Sequence, residues 1–163
     1  MHAYPSILLL THLAFTPWEI LDSIDLISVE HLPIQDLLNF LYSSKKLIIA
    51  LKYLSKHIGY GTDFGGLTFW SDLDEYDKTH FYEQEFEGIE IEYMDETINV
   101  NYEILYYYLK IVVERYIEEN PQEQHEIEIC LKNMKENLNI KENIQTIEQF
   151  QNHKLDAAFE DSE

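Results

Sequence analysis

Apolar residues recur at helical spacing through much of the first sixty positions. Trp18, Leu21, Ile24 and Ile27 predict one helix. Its start would be Thr16-Pro17-Trp18-Glu19, with Thr as cap, Pro in the first turn and Glu reaching back to the cap. Pro33 opens a second helix with Leu37, Leu38, Leu41 and Tyr42 as its buried stripe. After a break at Ser43-Ser44, Leu47, Ile48, Leu51, Leu54 and Ile58 predict a third, closed by Gly59. Upstream, Ile7-Leu8-Leu9-Leu10 begins an apolar run to Phe15 that Thr11 and His12 interrupt. It is too short for a span of ~20 residues, so a buried strand or short helix is expected there.

The period then changes from 3.6 to 2. Gly59-Tyr60-Gly61 and Gly65-Gly66 bracket an expected loop around Asp63, and Leu67-Thr68-Phe69-Trp70 is rich in β-formers. In 87–93, Ile89, Ile91 and Tyr93 face one way while Glu90 and Glu92 face the other. Met94-Asp95-Glu96 is a turn, and Ile98, Val100 and Tyr102 return as a second strand. The result is a hairpin with an acidic, solvated outer face. Helical spacing resumes with Leu105, Tyr108, Leu109, Val112, Tyr116 and Ile117, behind Asn101 as cap. Asn120-Pro121-Gln122-Glu123 ends that helix and starts another, with Ile127, Cys130, Leu131, Met134 and Leu138 as its apolar face. Ile140, Ile144, Ile147 and Phe150 predict a last short helix, and the acidic end from Glu160 is expected to fray.

Together these elements predict an α+β fold: a single domain over 1–163, with several α-helices packed around a small antiparallel sheet or hairpin. Residues 1–58 form a helical part, 59–102 an acidic loop and hairpin, and 103–159 the C-terminal helices.

Charge sharpens this picture. The chain of 163 residues carries 31 Asp and Glu against 11 Lys and Arg, a net charge of −20, yet 45% of it is hydrophobic, enough to build a core. The charge is uneven: residues 72–96 hold eleven acids and one base, Lys78, whereas residues 1–66 hold six acids and four bases. Such a balance argues against direct contact with nucleic acid and against an anionic membrane surface, and favours a basic protein partner. It also argues against self-association through the acidic face, so the free protein is expected to be a monomer. The single cysteine, Cys130, excludes an internal disulfide and fits a reducing cytoplasm, where the protein is expected.

Catalytic patterns fall short. His125-Glu126-Ile127-Glu128-Ile129 begins like a metalloprotease helix, but Ile129 stands where the second zinc histidine belongs. Neither glycine pair is followed by the Lys-Ser/Thr of a phosphate-binding loop. The seven histidines are scattered, with no two at i, i+4 spacing. Asp72-x-Asp74-x-Tyr76-Asp77 with Glu83 approximates a calcium loop, but Tyr76 and Asp77 occupy the positions of an oxygen ligand and an obligatory glycine. Neither a cofactor, a metal nor an enzymatic activity is therefore expected.

The acidic segment interleaves Trp70, Tyr76, Phe81, Tyr82 and Phe86 with Asp72, Asp74, Glu75, Asp77, Glu83 and Glu85. One reading is a solvated face that keeps the chain soluble. The other is a docking face, since interfaces favour aromatic anchors and opposite charge steers association. Some of these aromatics must serve the core instead.

At these residues the sequence resembles a bacterial family. The resembling stretch runs from Tyr60-Gly61 through Asp72-Leu73-Asp74-Glu75 to Phe86-Glu87-Gly88-Ile89-Glu90-Ile91. It continues into Tyr102-Glu103-x-Leu105-x-x-Tyr108-Leu109, Arg115-Tyr116 and Asn120-Pro121. This order is similar to the immunity proteins of contact-dependent growth inhibition systems that neutralise ribonuclease toxins, particularly of the EndoU type. The likeness covers about residues 50–138.

The resemblance implies a small cytoplasmic protein without catalysis that binds a cognate basic toxin nuclease domain and keeps it from RNA. It transfers no contact residues. The charge and aromatic pattern supplies them: Asp72, Asp74, Glu75, Asp77, Glu90 and Glu92 as the toxin-facing acids, with Trp70, Tyr76 and Phe81 as anchors. An acidic adaptor for another basic partner, or a metal-dependent enzyme using the carboxylate-rich segment, are the alternatives.

Overall fold

The computed structural model describes residues 18–142. The expected elements at 7–15, the Thr16-Pro17 cap, the helix through Ile144, Ile147 and Phe150, and the acidic end all lie outside them. Two helices come first, α1 (Leu32–Ser43) and α2 (Leu47–Ser55). Strands β1 (Tyr60–Thr62) and β2 (Gly65–Phe69) follow, then α3 (Glu75–Phe81), β3 (Ile89–Tyr93) and β4 (Glu96–Val100). The long helix α4 (Tyr102–Glu119) and α5 (Gln124–Asn137) complete the set. The α+β class stands as the sequence predicts.

The sheet is fully antiparallel, in the order β1-β2-β3-β4. Period two decides which side is core. Leu67 and Phe69 pair with Ile91 and Ile89, and Ile89 pairs with Val100. All five are buried. Each such side chain withdrawn from water contributes about 1.5–3 kcal/mol. Helix α1 crosses this inner face against β3, with Leu37, Leu38 and Leu41 buried. In α4, Leu105, Tyr108, Leu109 and Val112 recur at i, i+3, i+4, i+7 and are buried. Helix α5 packs its Ile127, Cys130 and Met134 side toward α2.

Three expectations are corrected. No α-helix spans 18–27. Instead a strap with a short 3-10 turn at Ser23–Asp25 lies on the helices, burying Ile20, Leu21 and Ile27 and leaving Trp18 and Ile24 exposed. Side chains give its backbone the partners a helix would have supplied. Asn39 Oδ1 accepts from the Ile20 and Leu21 N–H groups, both at 2.8 Å, and Asn39 Nδ2 donates to Leu21 O at 3.0 Å. Arg115 donates to Ile20 O at 2.9 Å and grips Asp25 with both ends of its guanidinium, at 2.6 and 2.8 Å.

Gly59 does not close α2. The left-handed residue is His57, at φ 60°, and the Ile58 N–H bonds back to Tyr53 O at 3.1 Å; Ile58 itself lies beyond the helix and is exposed. The loop expected around Asp63 is the two-residue turn Asp63-Phe64, and the bracketing residues on either side pair as β1 and β2. Tyr102 begins α4 instead of ending β4, because Asn101 accepts the Ile104 N–H at 2.9 Å and so caps the helix.

Candidate functional site

The outer face of the sheet is set by the same alternation as the core. Thr68 lies opposite Glu90, Gly66 opposite Glu92, and Glu90 and Glu92 opposite Asn99 and Thr97. Among the described residues this side is polar, with Glu92, Thr97 and Asn99 exposed, whereas α1 backs the inner face. Between β2 and β3 the chain makes an excursion through Trp70, α3 and Phe86, and the nine residues singled out in the sequence sit on that excursion or on β3.

Trp70 opens a 3-10 turn directly after β2. It is half-buried, edge-on to Tyr82 at 5.5 Å and to Phe86 at 5.3 Å, with Lys78 Nζ 5.6 Å above its ring. These three rings tie the end of the excursion to the sheet. The tie continues to the outer face, where the Tyr82 hydroxyl donates to Glu90 Oε1 at 2.7 Å. Burial and this bond to a carboxylate push the Tyr82 pKa well above its usual value, with the charges of Glu90, Glu92 and Asp77 adding to it. Asp77 and Glu92 therefore lie in the same electrostatic neighbourhood as the Tyr82–Glu90 pair.

The acids divide by what they already hold. Asp72 Oδ2 accepts the N–H of Gly59 at 3.0 Å and of Phe69 at 2.7 Å, locking the entry of β1 to the exit of β2. Asp74 caps α3 by accepting the Asp77 N–H at 2.8 Å. Glu75 lies 3.4 Å from Lys78 in an exposed pair, which contributes little. Glu92 is exposed on the open face. Of the aromatics, Tyr76 (61% exposed) and Phe81 (71% exposed) stand out from α3. Tyr76 stacks on His80 at 3.8 Å and meets Phe81 edge-on, so both rings are held in place while facing solvent. Trp70, given the role of an anchor by the sequence pattern, braces the surface from behind.

The sequence pattern did not single out the far end of the sheet. There Gly61, Gly65, Gly66 and Thr68 floor a depression of about 490 Å³, bordered by Asp63, Phe64, Glu92, Met94 and Asp95. The two turns meet at its border, with the Met94 N–H donating to Phe64 O at 2.7 Å. The bracketing glycines were its one visible signal.

The Cys130 thiol is buried, and burial pushes its pKa up, away from the thiolate. Among the described residues, no three His, Cys, Asp or Glu side chains gather as a metal ion would require. Asp72 and Asp74 of the calcium-like spacing point to separate backbone partners. Among the described residues, no helix is long and apolar enough to cross a membrane.

The described residues thus form a small α+β domain with an acidic face from which Tyr76 and Phe81 project. The chain belongs to the CDI immunity protein family, whose model matches residues 30–131, from the start of α1 into α5. Proteins of this family neutralise a toxin by binding it, so the partner is a cognate toxin protein. No curated protein sequence matches this chain.

Proposed function

We propose that this protein neutralises a basic ribonuclease toxin of the EndoU type, in the cytoplasm, by occupying the surface where the toxin holds RNA. The observation that carries the reading is the concentration of eleven acids and one base in residues 72–96, folded onto the excursion around α3 and the outer face of β3. A ribonuclease needs cationic side chains along its RNA groove, and a carboxylate-rich face offers them an alternative to phosphate. Glu75, Asp77 and Glu92 supply the charge. Tyr76 and Phe81 supply apolar area at little entropic cost, since α3 already orders them. Asp72, Asp74, Glu90 and Trp70 hold that surface in shape, and the three carboxylates add their field to it. The inhibitor works stoichiometrically and without chemistry of its own, and it is monomeric when free.

The test is a variant carrying Glu75→Lys and Asp77→Lys, which leaves the Asp74 cap and the Asp72 bonds in place. Its association rate with the purified toxin domain should fall at least tenfold at low salt. Its protection of RNA in a cleavage assay should fall with it. Full protection at equimolar inhibitor, with an unchanged association rate, would show that toxin binding does not use α3.

A further inference from the structure

The outer sheet face contains a glycine that the fold does not ask for. Gly65, at φ 152°, and Gly66 are both required: a Cβ on either would fall 2.1–2.6 Å from backbone oxygen atoms of Glu92 or Tyr60. Gly61 differs. It lies in β1 directly opposite Gly66, its φ is outside the left-handed range, and a Cβ built there meets no atom within 4 Å. Glycine in a strand sacrifices side-chain packing and is less stable there than alanine. What glycine preserves here is open space, because Gly61 is part of the floor of the 490 Å³ depression.

The walls of that space have a definite chemistry. Met94 (57% exposed) and Phe64 (48% exposed) border it, the Phe64 ring packing on Phe40 of α1 at 5.1 Å. Asp63, Glu92 and Asp95 supply carboxylates, and among the described residues no basic side chain stands within ion-pair distance of any of them. Apolar edges, unclaimed negative charge and a bare peptide floor suit a planar cation on a long apolar stem. Arginine fits that description better than lysine, because guanidinium stacks on rings and pairs with carboxylates through two parallel N–H groups.

We infer that the depression over Gly61 and Gly66 receives an arginine side chain of the toxin, in a second contact at the opposite end of the sheet from α3. The inference rests on the toxin-binding reading and adds to it a fixed point of docking. The α3 face steers by charge, and the depression sets register by shape. A side chain at position 61 would block entry without disturbing any contact of the fold.

That property makes the test clean. Gly61→Ala and Gly61→Val should leave the melting temperature unchanged or raise it, since the position is a strand with room for a Cβ. Toxin affinity should fall in steps, by several-fold for Ala and at least thirtyfold for Val. Amide NMR with N-acetyl-arginine methylamide at millimolar concentration should perturb Gly61, Gly65 and Gly66 in the wild type and not in Gly61→Val. Unchanged toxin affinity in Gly61→Val overturns the inference, as does the absence of any response of those amides to the arginine probe. If the wild type binds no toxin at all, the functional reading fails separately, and the amide titration still decides whether the depression takes arginine. If Glu75→Lys/Asp77→Lys weakens binding while Gly61→Val does not, the α3 face survives and the depression is excluded.

Discussion

Tyr108 reaches from the middle of α4 to close the strap over the core. Its hydroxyl accepts the Ile27 N–H at 2.8 Å and lies 2.8 Å from His31 Nδ1, all three groups being buried. The direction of the bond between the hydroxyl and Nδ1 follows the His31 tautomer. Burial lowers the His31 pKa below its usual 6.5, the negative charge of Glu30 opposing this in part, and it pushes the Tyr108 pKa well up. A histidine whose folded pKa is depressed favours folding above pH 6.5, and this contribution is lost as pH falls through the folded value. Tyr108→Phe would strand a buried N–H and a ring nitrogen, and should cost about 1–3 kcal/mol in urea denaturation. NMR titration of the wild type should place the His31 pKa below 6.5. A value above it would refute the buried neutral form. None of this was legible in the sequence, where Tyr108 reads as one more apolar residue of a helical stripe and His31 as one of seven scattered histidines. A hydrogen bond between positions 77 apart leaves no local trace.

The helices show where local signals suffice. The stripes of α1, α2, α4 and α5 were readable because burial on one side imposes period 3.6, and the hairpin of β3 and β4 because burial on one face imposes period 2. Helix ends were harder. Three helices finish the same way, on left-handed Lys45, His57 and Asn139, with the next N–H bonded five residues back, at 2.8 to 3.1 Å. Glycine is the usual residue at that position, and its absence hid these caps; the glycines went to the sheet instead. A left-handed non-glycine residue carries a steric cost of about 1–2 kcal/mol, partly offset by the lower chain entropy of the larger residue when unfolded. Lys45 is exposed, so Lys45→Gly should stabilise the protein by about 0.5–1 kcal/mol, read as a higher denaturation midpoint with an unchanged slope. The helix expected at 18–27 failed for a complementary reason. Its residues have the right spacing, but Asn39 and Arg115 outbid the helix for the strap's backbone groups.

Across the whole molecule, a net charge of −20 opposes compaction by self-repulsion, most strongly where residues 72–96 gather. Salt screens exposed charges beyond about 10 Å at 0.1 M, so the melting temperature should rise by several degrees between 10 mM and 300 mM NaCl. Association with the toxin should slow over the same range. Opposite responses of stability and association would mark the charge as kept for the partner at some expense to the fold; a melting temperature that falls with salt would contradict it. At this scale the charge count pointed to a basic partner, and the family match supplies a protein one. It did not distinguish acids that the backbone has claimed, such as Asp72, from acids left to solvent, such as Glu92, since both are one letter in an acidic run.

That division has an evolutionary consequence. Asp72, Glu90 and Trp70 are bound into the architecture, so exchanging them disturbs the protein that displays the surface. Glu75, Tyr76, Phe81 and the open position at Gly61 make few contacts that folding depends on. On the proposed docking surface, an inhibitor built this way would follow a diverging toxin by substitution at the second group alone. New pairings would then arise one residue at a time, on a scaffold that does not have to be reinvented.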